Sequence, residues 1–413
     1  MNLPNFLLRR TKVEQIQKGY KSDDESRNIF ISLKFFMVFS QVLGLLPQEN
    51  IRRNLEDMRF KWLSFKMLYT IALICSLAVA VFSCLIYWAT NGCSIDDIAI
   101  AVSYGGSLAS MILYLQLAKS WEKLMRSWHS IDLTMNTNYG YPEMLDRKIK
   151  LFMAMFIFLG ILDYMLCAGN LYEHLTNQYG KNLTTQVYYN TSFPQLFAYV
   201  PYTYFTAIFC SIITVHSNLT WAFNDLFIII LSTALALRFQ QISQRLNKER
   251  FKINPLSFWR SIREDYDRLA SFCKELDSHI SSIVLLSYFL NIFFLLIQLY
   301  HSLEPISLIV RKIYCIFSFG YLILKTSSVS LYAAWINDES KAPTNVLNSV
   351  DSSLYNVEIR RLLVQISFDK TALTGCKMFS VKRGIILSVA SAIVTYELVL
   401  IQFSEANLYE NTP

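Results

Sequence analysis

The last apolar stretch of the chain carries small polar side chains at helical spacing. Ser388, Ser391, Thr395 and Gln402 follow one another at intervals of three, four and seven residues, and Val399 fits the same spacing. In an α-helix this spacing places all five on one face. Such a stripe is typical of a water-filled path, but small residues also let two helices pack closely. The spacing alone leaves both interpretations open.

Three ionisable side chains, Asp163, Lys325 and Glu397, interrupt apolar stretches that otherwise carry no charge. A charge inside a bilayer is costly, so it faces protein or a water-filled cavity. The opposite charges of Lys325 and Glu397 predict an intramembrane pair between two helices. Asp163 is predicted either to meet a ligand that arrives from outside or to form a salt bridge between helices.

Tyrosine is frequent between residues 164 and 204, where Asp, Asn and Gln also occur. Such side chains suit a polar, ring-shaped ligand, which they stack against and hydrogen-bond. An aromatic belt at the membrane interface gives the same enrichment. From position and chemistry we predict these ligand-binding residues: Asp163, Tyr164, Tyr202, Trp221, Asp225, Asn291 and Gln298. For Asp225 and Asn291, a hydrogen bond between helices is the alternative.

The composition of the chain that carries these side chains is typical of a membrane protein. Of its 413 residues, 53% are hydrophobic and 17% are charged, against about 25% charged in soluble domains. No nucleotide-binding, metalloprotease or serine-hydrolase motif occurs, and the five His and eight Cys form no metal-ligand pattern. We therefore expect no enzyme activity, no cofactor and no metal. The net charge of +7 is explained by sorting across a membrane, and no nucleic-acid partner is expected.

Apolar stretches of about 20 residues predict membrane-spanning helices. Six are clear: Met67–Trp88, Ile98–Ala118, Leu151–Leu171, Ser278–Leu303, Tyr314–Ile336 and Gly384–Phe403. A further uncharged run extends from Asn182 to Asn224, resumes after Asp225 at Leu226 and ends at Leu237, which allows one crossing or two. With one crossing, Trp221–Leu237, the three N-glycosylation sequons at Asn182, Asn190 and Asn218 all face outside. The expected fold is all-α with seven crossings, and residues 193–220 extend the fourth helix outward, bent near Pro201.

Basic residues support this count. All but four of the 38 Lys and Arg fall in segments 1–66, 119–150, 238–274 and 338–383. Lys and Arg favour the cytoplasmic side of a membrane. Seven crossings place all four segments there, which predicts a cytoplasmic N-terminus and an extracellular C-terminus.

The predicted organisation follows from these crossings. Residues 1–66 form a cytoplasmic region whose helical pieces lie on the membrane, and residues 67–337 hold the first six helices with an outer ligand pocket. The inner loops are 119–149 and 238–277, the latter a helical extension. Residues 338–380 form a cytoplasmic anchor with an amphipathic helix, residues 381–403 the seventh helix, and residues 404–413 an extracellular tail.

The sequence resembles one known family in its last helix and in several earlier stretches. TYELVLIQF at 395–403 fits the TY-five-apolar-QF signature of insect gustatory receptors, and the Glu after Tyr396 resembles their sugar-sensing clade. WAFNDLFIIILSTALALRFQQI at 221–242, AAWINDES at 333–340 and LTGCKMF at 373–379 are similar to the same clade. The resemblance extends over most of the chain beyond about residue 30.

This resemblance implies a tastant-gated, non-selective cation channel, assembled as a homotetramer or as a heterotetramer with related receptors. In this family the final helix lines a central pore. Gln402 and Phe403 would then form the outer gate, with Thr395 and Tyr396 supporting the same helix. It implies a plasma-membrane protein of chemosensory dendrites, a mono- or disaccharide ligand, and a ligand pocket in the outer half of each subunit.

The sequence leaves alternatives to a sugar-gated channel open. Where the clade often has Glu-His in the third crossing, this chain has Asp163-Tyr164, so a non-sugar tastant remains possible within the same class. A metabotropic seven-helix receptor requires the opposite membrane polarity. A transporter is disfavoured because the sequence contains no internal repeat.

Overall fold

Helices make up almost all of the described chain. The structure, a computed structural model, describes residues 29–53, 55–142, 144–302 and 309–410, with the backbone alone for 400, 401 and 403–410. The helices are α1 Ile29–Val42, α2 Phe65–Asn91, α3 Ile95–Tyr139, α4 Leu145–Tyr179, α5 Thr185–Ser192, α6 Pro194–Phe197, α7 Tyr204–Glu249, α8 Leu256–Ser302, α9 Ile309–Lys341, α10 Pro343–Asn348, α11 Val357–Phe368 and α12 Gly384–Glu410. Two antiparallel hairpins accompany them: β1 Gln48–Glu49 with β2 Arg59–Phe60, and β3 Thr374–Gly375 with β4 Phe379–Ser380.

Six of the described helices are long and apolar enough to cross a membrane: α2, α3, α4, α7, α8 and α9. Each contains one of the predicted crossings, which confirms an all-helical membrane fold. The apolar stretch Gly384–Val399 of α12 is shorter. The whole of α12 has 27 residues, which gives about 40 Å of helix against a hydrocarbon core of about 30 Å.

The bundle has two chemically different ends. One holds the Lys- and Arg-rich segments around Arg238, and we call it the basic end. The other holds the sequons at Asn182 and Asn190 and the start of α7 at Tyr204, and we call it the sequon end.

Helix α7 forms the centre of the bundle. Most of its apolar stretch is buried, 83% against 17% for α4. Small polar side chains join it to α3: Asn224 donates to Ser110 at 2.7 Å, and the hydroxyls of Ser107 and Ser217 lie 2.6 Å apart. Such side chains hold helices together where lipid supplies no hydrophobic driving force between them.

Helix α7 begins only after Pro201. Thr203 caps it, accepting from the Thr206 amide, while the preceding residues form the separate short helices α5 and α6. The predicted extension over 193–220 is therefore confirmed for residues 204–220, which continue the fourth crossing as one helix, and is wrong for residues 193–203. The chain breaks at Pro201, which has no amide hydrogen to continue a helix.

The helical part of the N-terminal region packs one face against the bundle. In α1, Leu33, Phe36 and Met37 are fully buried, and the Phe36 ring stacks on Phe223 of α7 at 4.9 Å. That this region lies on the membrane stays a prediction for α1, since Ile31 and Phe35 on its opposite face are exposed and an exposed apolar helix face suits a membrane interface.

Buried charges hold the basic end together. Arg238 of α7 pairs with Asp132 of α3, and both side chains are at most 3% exposed. Arg238 also donates to the Gly140 carbonyl at 2.9 Å and to Asn136 at 2.6 Å. The predicted extension 238–277 is two helical segments, since α7 ends at Glu249 and α8 begins at Leu256.

The β3–β4 hairpin connects this end to α12. Asp277 of α8 accepts from the amide of Thr374 at 2.6 Å and from its hydroxyl at 2.8 Å. Four residues after β4, α12 begins. The start of α12 is thereby positioned by α8.

The predicted amphipathic helix of the 338–380 segment corresponds to α11, and Glu358 fastens it to α8. Glu358 accepts from Arg263 at 2.7 Å and from Arg361 at 3.2 Å. The hydrogen bond from Arg263 lowers the pKa of Glu358 below its usual value. A depressed carboxyl pKa stabilises the fold above the unfolded-state pKa of about 4.3, and this contribution disappears as the pH falls through the folded-state pKa.

Glu358→Gln is therefore expected to lower the melting temperature of the detergent-solubilised protein at neutral pH. Its difference from wild type should shrink as the pH falls below about 4.3. Melting curves across this pH range test the prediction. The control Glu122→Gln removes a surface pair with Arg126, which contributes little. A Glu358→Gln difference that is independent of pH would contradict this role.

Candidate functional site

A fully buried ion pair joins the two central helices. The Lys325 ammonium on α9 lies 3.1 Å from Asp225 Oδ2 on α7, and the side chains are 1% and 0% exposed. An isolated charge at such a site would be strongly unfavourable, so each group requires the other.

Hydrogen bonds from α8 complete the surroundings of Asp225. Ser287 donates to Asp225 Oδ1, as does Asn291 at 3.1 Å. Asn291 accepts in turn from Trp221 Nε1 at 3.0 Å. Spacing of four residues, Trp221 to Asp225 on α7 and Ser287 to Asn291 on α8, places each pair on one helical face. These residues and Lys325 form what we call the Asp225 cluster.

Trp221 covers the Asp225 cluster on its sequon side. The Lys325 ammonium lies 3.5 Å from the centre of the Trp221 ring, within range of a cation–π interaction. The indole also packs near Phe294, with 4.6 Å between the ring centres. Trp221 itself is only half-buried, unlike Asp225 and Asn291. It is therefore the member of the cluster that an approaching ligand would meet first.

Three acceptor oxygens on α4 are shielded from solvent and have no hydrogen-bond partner in the described part of the chain. They are Asp163 Oδ1, Asn170 Oδ1 and Glu173 Oε2. Intervals of seven and three residues place these side chains, which we call the α4 acceptor row, along one face of α4. Asp163 also lies close to Ser318 and Lys325 of α9. Since buried acceptors are normally satisfied, the row suits a ligand rich in hydroxyl donors.

The outer tyrosines form an aromatic cluster near the sequon end. Tyr202 lies 6.2 Å from Tyr189 and 5.9 Å from Phe197 between ring centres. Its hydroxyl is shielded and has no partner among the described residues. Tyr164, next to Asp163, is half-buried. A nearby apolar cavity has a volume of only about 40 Å³, close to the space of one water molecule, and is too small for a sugar.

The structure thus groups some predicted ligand residues and separates others. Trp221, Asp225 and Asn291 belong to one cluster. Within the described ranges, Gln298 makes one long hydrogen bond, 3.5 Å, to the Cys315 carbonyl. The predicted pairing of Lys325 with Glu397 is corrected, because Lys325 pairs with Asp225 and Glu397 is exposed. For Asp225 and Asn291 the structure shows the alternative, a hydrogen bond between helices, and Asp225 is also the acid that pairs with Lys325.

Sequence reasoning missed Ser287, Asn170 and Glu173. Ser287 and Asn291 are spaced by one helical turn, which was the available signal for a polar face on α8. Asn170 and Glu173 follow Asp163 at helical spacing, but they lie close to the end of the predicted crossing, where polar residues are expected at the membrane surface.

The predicted pore residues lie on a helix with little protein around it. No side chain from Gly384 to Val399 is buried, and α12 packs mainly through its contacts with α8 and α9. Ser388, Ser391, Thr395 and Gln402 are exposed, and Tyr396 is half-buried. The side chain of Phe403 lies outside the described residues. A helix of this composition requires lipid or another subunit to cover it.

Comparison with known proteins gives consistent matches over the whole chain. A family model described as trehalose receptor matches residues 9–412. The Drosophila melanogaster gustatory receptor for sugar taste 64a is 30% identical over 90% of this chain and 84% of its own. The gustatory receptor 5a for trehalose, from the same organism, is 26% identical over 96% of this chain and 89% of its own.

Among solved structures, the insect olfactory receptor OR5 from Machilis hrabei in complex with eugenol has the same fold. It superposes with a TM-score of 0.67 at 13% identity, covering 91% of this chain and 100% of that chain. At this identity the likeness concerns the fold alone.

Proposed function

The chain belongs to the trehalose receptor family, and from that premise we propose that it is a sugar-gated, non-selective cation channel. It is a receptor rather than an enzyme, as are its curated relatives, and a multi-pass protein of the plasma membrane. In the proposal, sugar binds in the sequon half of the bundle and opens a central pore lined by α12 of four subunits.

The exposed polar stripe of α12 is the main observation that supports a channel. Ser388, Ser391, Thr395 and Gln402 share one face and are all exposed in the single chain. Between lipid tails these side chains would lose their hydrogen bonds to water, whereas a central pore keeps them wet. In a tetramer the apolar remainder of α12 would be covered by neighbouring helices or lipid.

The α4 acceptor row and Trp221 support a polyol ligand. Asp163, Asn170 and Glu173 offer shielded acceptors, and an indole face suits the apolar face of a sugar ring. Asp163 lies close to Ser318 on α9, so a ligand at the row would lie beside a helix that also packs against α12. Movement of α9 would then pass directly to the pore helix.

Whole-cell current under a panel of mono- and disaccharides tests the proposal. We expect a sugar-evoked cation current in cells that express this chain without added G-protein components. Gln402→Ala and Phe403→Ala should raise the sugar-independent current several-fold, because shorter side chains close the constriction less well. Ile393→Ala, on the opposite side of α12, serves as the control.

Silence of a surface-expressed protein, both alone and together with related receptors, would contradict the channel assignment. A current that requires added G protein would favour a metabotropic receptor. A current evoked by other tastants but by no saccharide would support the channel function and show that the ligand is not a sugar.

The proposed polarity places the sequon end outside the cell. Asn182 and Asn190 are exposed, whereas Asn218 lies within α7 and its sequon partner Thr220 is fully buried. Asn218 is about 21 Å along α7 from Tyr204. We therefore expect Asn182→Gln and Asn190→Gln each to remove one glycan step on a gel, and Asn218→Gln to remove none. If enzymatic deglycosylation leaves the mobility of the wild-type chain unchanged, the polarity is wrong.

A further inference from the structure

A large polar cavity lies at the basic end, remote from the proposed ligand site. Its volume is about 860 Å³, which is within the usual range for small-molecule sites. The turn between α3 and α4 and the last three helical turns of α7 line it, with Tyr139, Tyr141, Gln241 and Arg245 among the lining residues. Neither the proposed pore nor the sugar site uses this cavity.

Partly buried hydrogen bonds hold the walls of the cavity in place. Gly140 of the α3–α4 turn accepts from Arg238 at 2.9 Å and from Gln241 at 3.2 Å. Tyr139 donates to Asp265 of α8 at 3.0 Å. A cavity whose walls are fixed by such bonds does not have to order itself when a ligand binds, which lowers the cost of binding.

Three basic side chains line the cavity: Arg147, Arg245 and Lys248. Arg147 and Lys248 make no ion pair within the described parts of the chain. Arg245 is held between the rings of Tyr139 and Phe258, at 4.8 and 5.3 Å. Its Nη1 is shielded from solvent and has no hydrogen-bond partner among the described residues.

The two acidic lining residues that the structure describes already have partners. Asp146 accepts from the Tyr141 hydroxyl at 3.3 Å, and Glu249 pairs with Lys252 at 3.0 Å. Among the described lining residues three side chains are basic and two are acidic, and Lys252 offsets the charge of Glu249, so the net charge of the described lining is positive. Arg is well suited to phosphate because its planar guanidinium donates two parallel hydrogen bonds.

In the proposed polarity, on which this inference rests, the cavity lies at the depth of the cytoplasmic lipid headgroups. Arg147 precedes Leu151, where the third predicted crossing begins, and Leu237 is the last residue of the fourth. Amide side chains of Asn138, Gln240 and Gln244 line the same space and match the hydroxyls of a polyol ring. Basic pockets at this depth on the cytoplasmic side of membrane proteins recognise phosphorylated headgroups.

We propose that this cavity binds a phosphorylated polyol, either the inositol phosphate headgroup of a membrane lipid or its soluble counterpart. Arg245 and Arg147 bind the phosphates, and the amides of Asn138 and Gln244 bind ring hydroxyls. The site is independent of the proposed sugar site and would remain if the ligand of that site were another tastant.

Binding to the purified full-length protein tests this proposal. The probes are vesicles that contain phosphatidylinositol bisphosphate, vesicles matched in total charge with phosphatidylserine, and soluble inositol trisphosphate. We expect saturable binding of the phosphoinositide vesicles. Arg245→Gln and Arg147→Gln should each raise the Kd about tenfold, the cost of one charge-assisted hydrogen bond.

Lys150→Gln is the matched control, since Lys150 is exposed on the same helix one turn from Arg147 and does not line the cavity. Arg147 is exposed, so its substitution leaves the folded core unchanged. Equal weakening by Lys150→Gln, or equal binding to phosphatidylserine vesicles, would reduce the effect to general surface charge and overturn the proposal. If inositol trisphosphate competes with the vesicles, the site is open to the soluble compound. If inositol trisphosphate does not displace the bound lipid, the lipid is the ligand.

Discussion

Replacement of Lys325 by Met is expected to destabilise the protein by about 3–5 kcal/mol, because it leaves Asp225 as an uncompensated buried charge. The two side chains lie 3.1 Å apart and are almost completely buried. Thermal stability of the solubilised protein, followed by size-exclusion chromatography with fluorescence detection, measures the loss. Surface expression should fall in parallel.

A double substitution distinguishes pairing from a simple loss of packing. Asp225→Asn in the Lys325→Met background removes the orphaned charge, keeps the hydrogen bonds of Ser287 and Asn291, and should recover much of the lost stability. The control Lys312→Met removes an exposed lysine from the same helix and should have little effect. If the double variant is as unstable as the sum of the two single variants, the charges do not stabilise each other.

Asp163→Asn is expected to raise the sugar concentration for half-maximal current about 10- to 100-fold. The carboxylate offers a shielded acceptor that has no partner in the described part of the chain, and a hydrogen bond to a charged group contributes about 1.5–3 kcal/mol. The maximal current should change less, since the substitution leaves α12 intact. Concentration–response curves of the whole-cell current measure both quantities.

A second carboxylate serves as the control for charge near the sequon end. Asp96 pairs with His301 at 3.0 Å and does not belong to the α4 acceptor row. Asp96→Asn removes the same charge and should leave the half-maximal concentration nearly unchanged. A similar shift in both variants would indicate general attraction of the ligand to negative charge. An unchanged response in Asp163→Asn would remove this residue from the binding site.

The crossings could be predicted from the sequence because a bilayer imposes a local rule. Each spanning helix needs about 20 consecutive apolar residues, so its position is visible without knowledge of its neighbours. The six long apolar helices therefore lie where the sequence places them. The polar stripe of α12 is equally local, since helical periodicity alone places Ser388, Ser391 and Thr395 on one face. The membrane polarity stays a prediction from the distribution of Lys and Arg.

Predictions from local sequence failed where the structure depends on contacts between residues that are far apart in the chain. The sequence shows that Lys325 needs an acid, but both Glu397 and Asp225 lie in predicted crossings. Only the packing of α9 against α7 brings Asp225, a hundred residues away, within 3.1 Å. The packing of α1 against the bundle could not be predicted for the same reason, since its short apolar sequence suits a membrane surface as well as a protein interior. Its place beside Phe223 depends on the space that α3, α4 and α7 leave between them. The α4 acceptor row likewise could not be predicted from the sequence. An oxygen is known to lack a hydrogen-bond partner only when the positions of the surrounding donors are known.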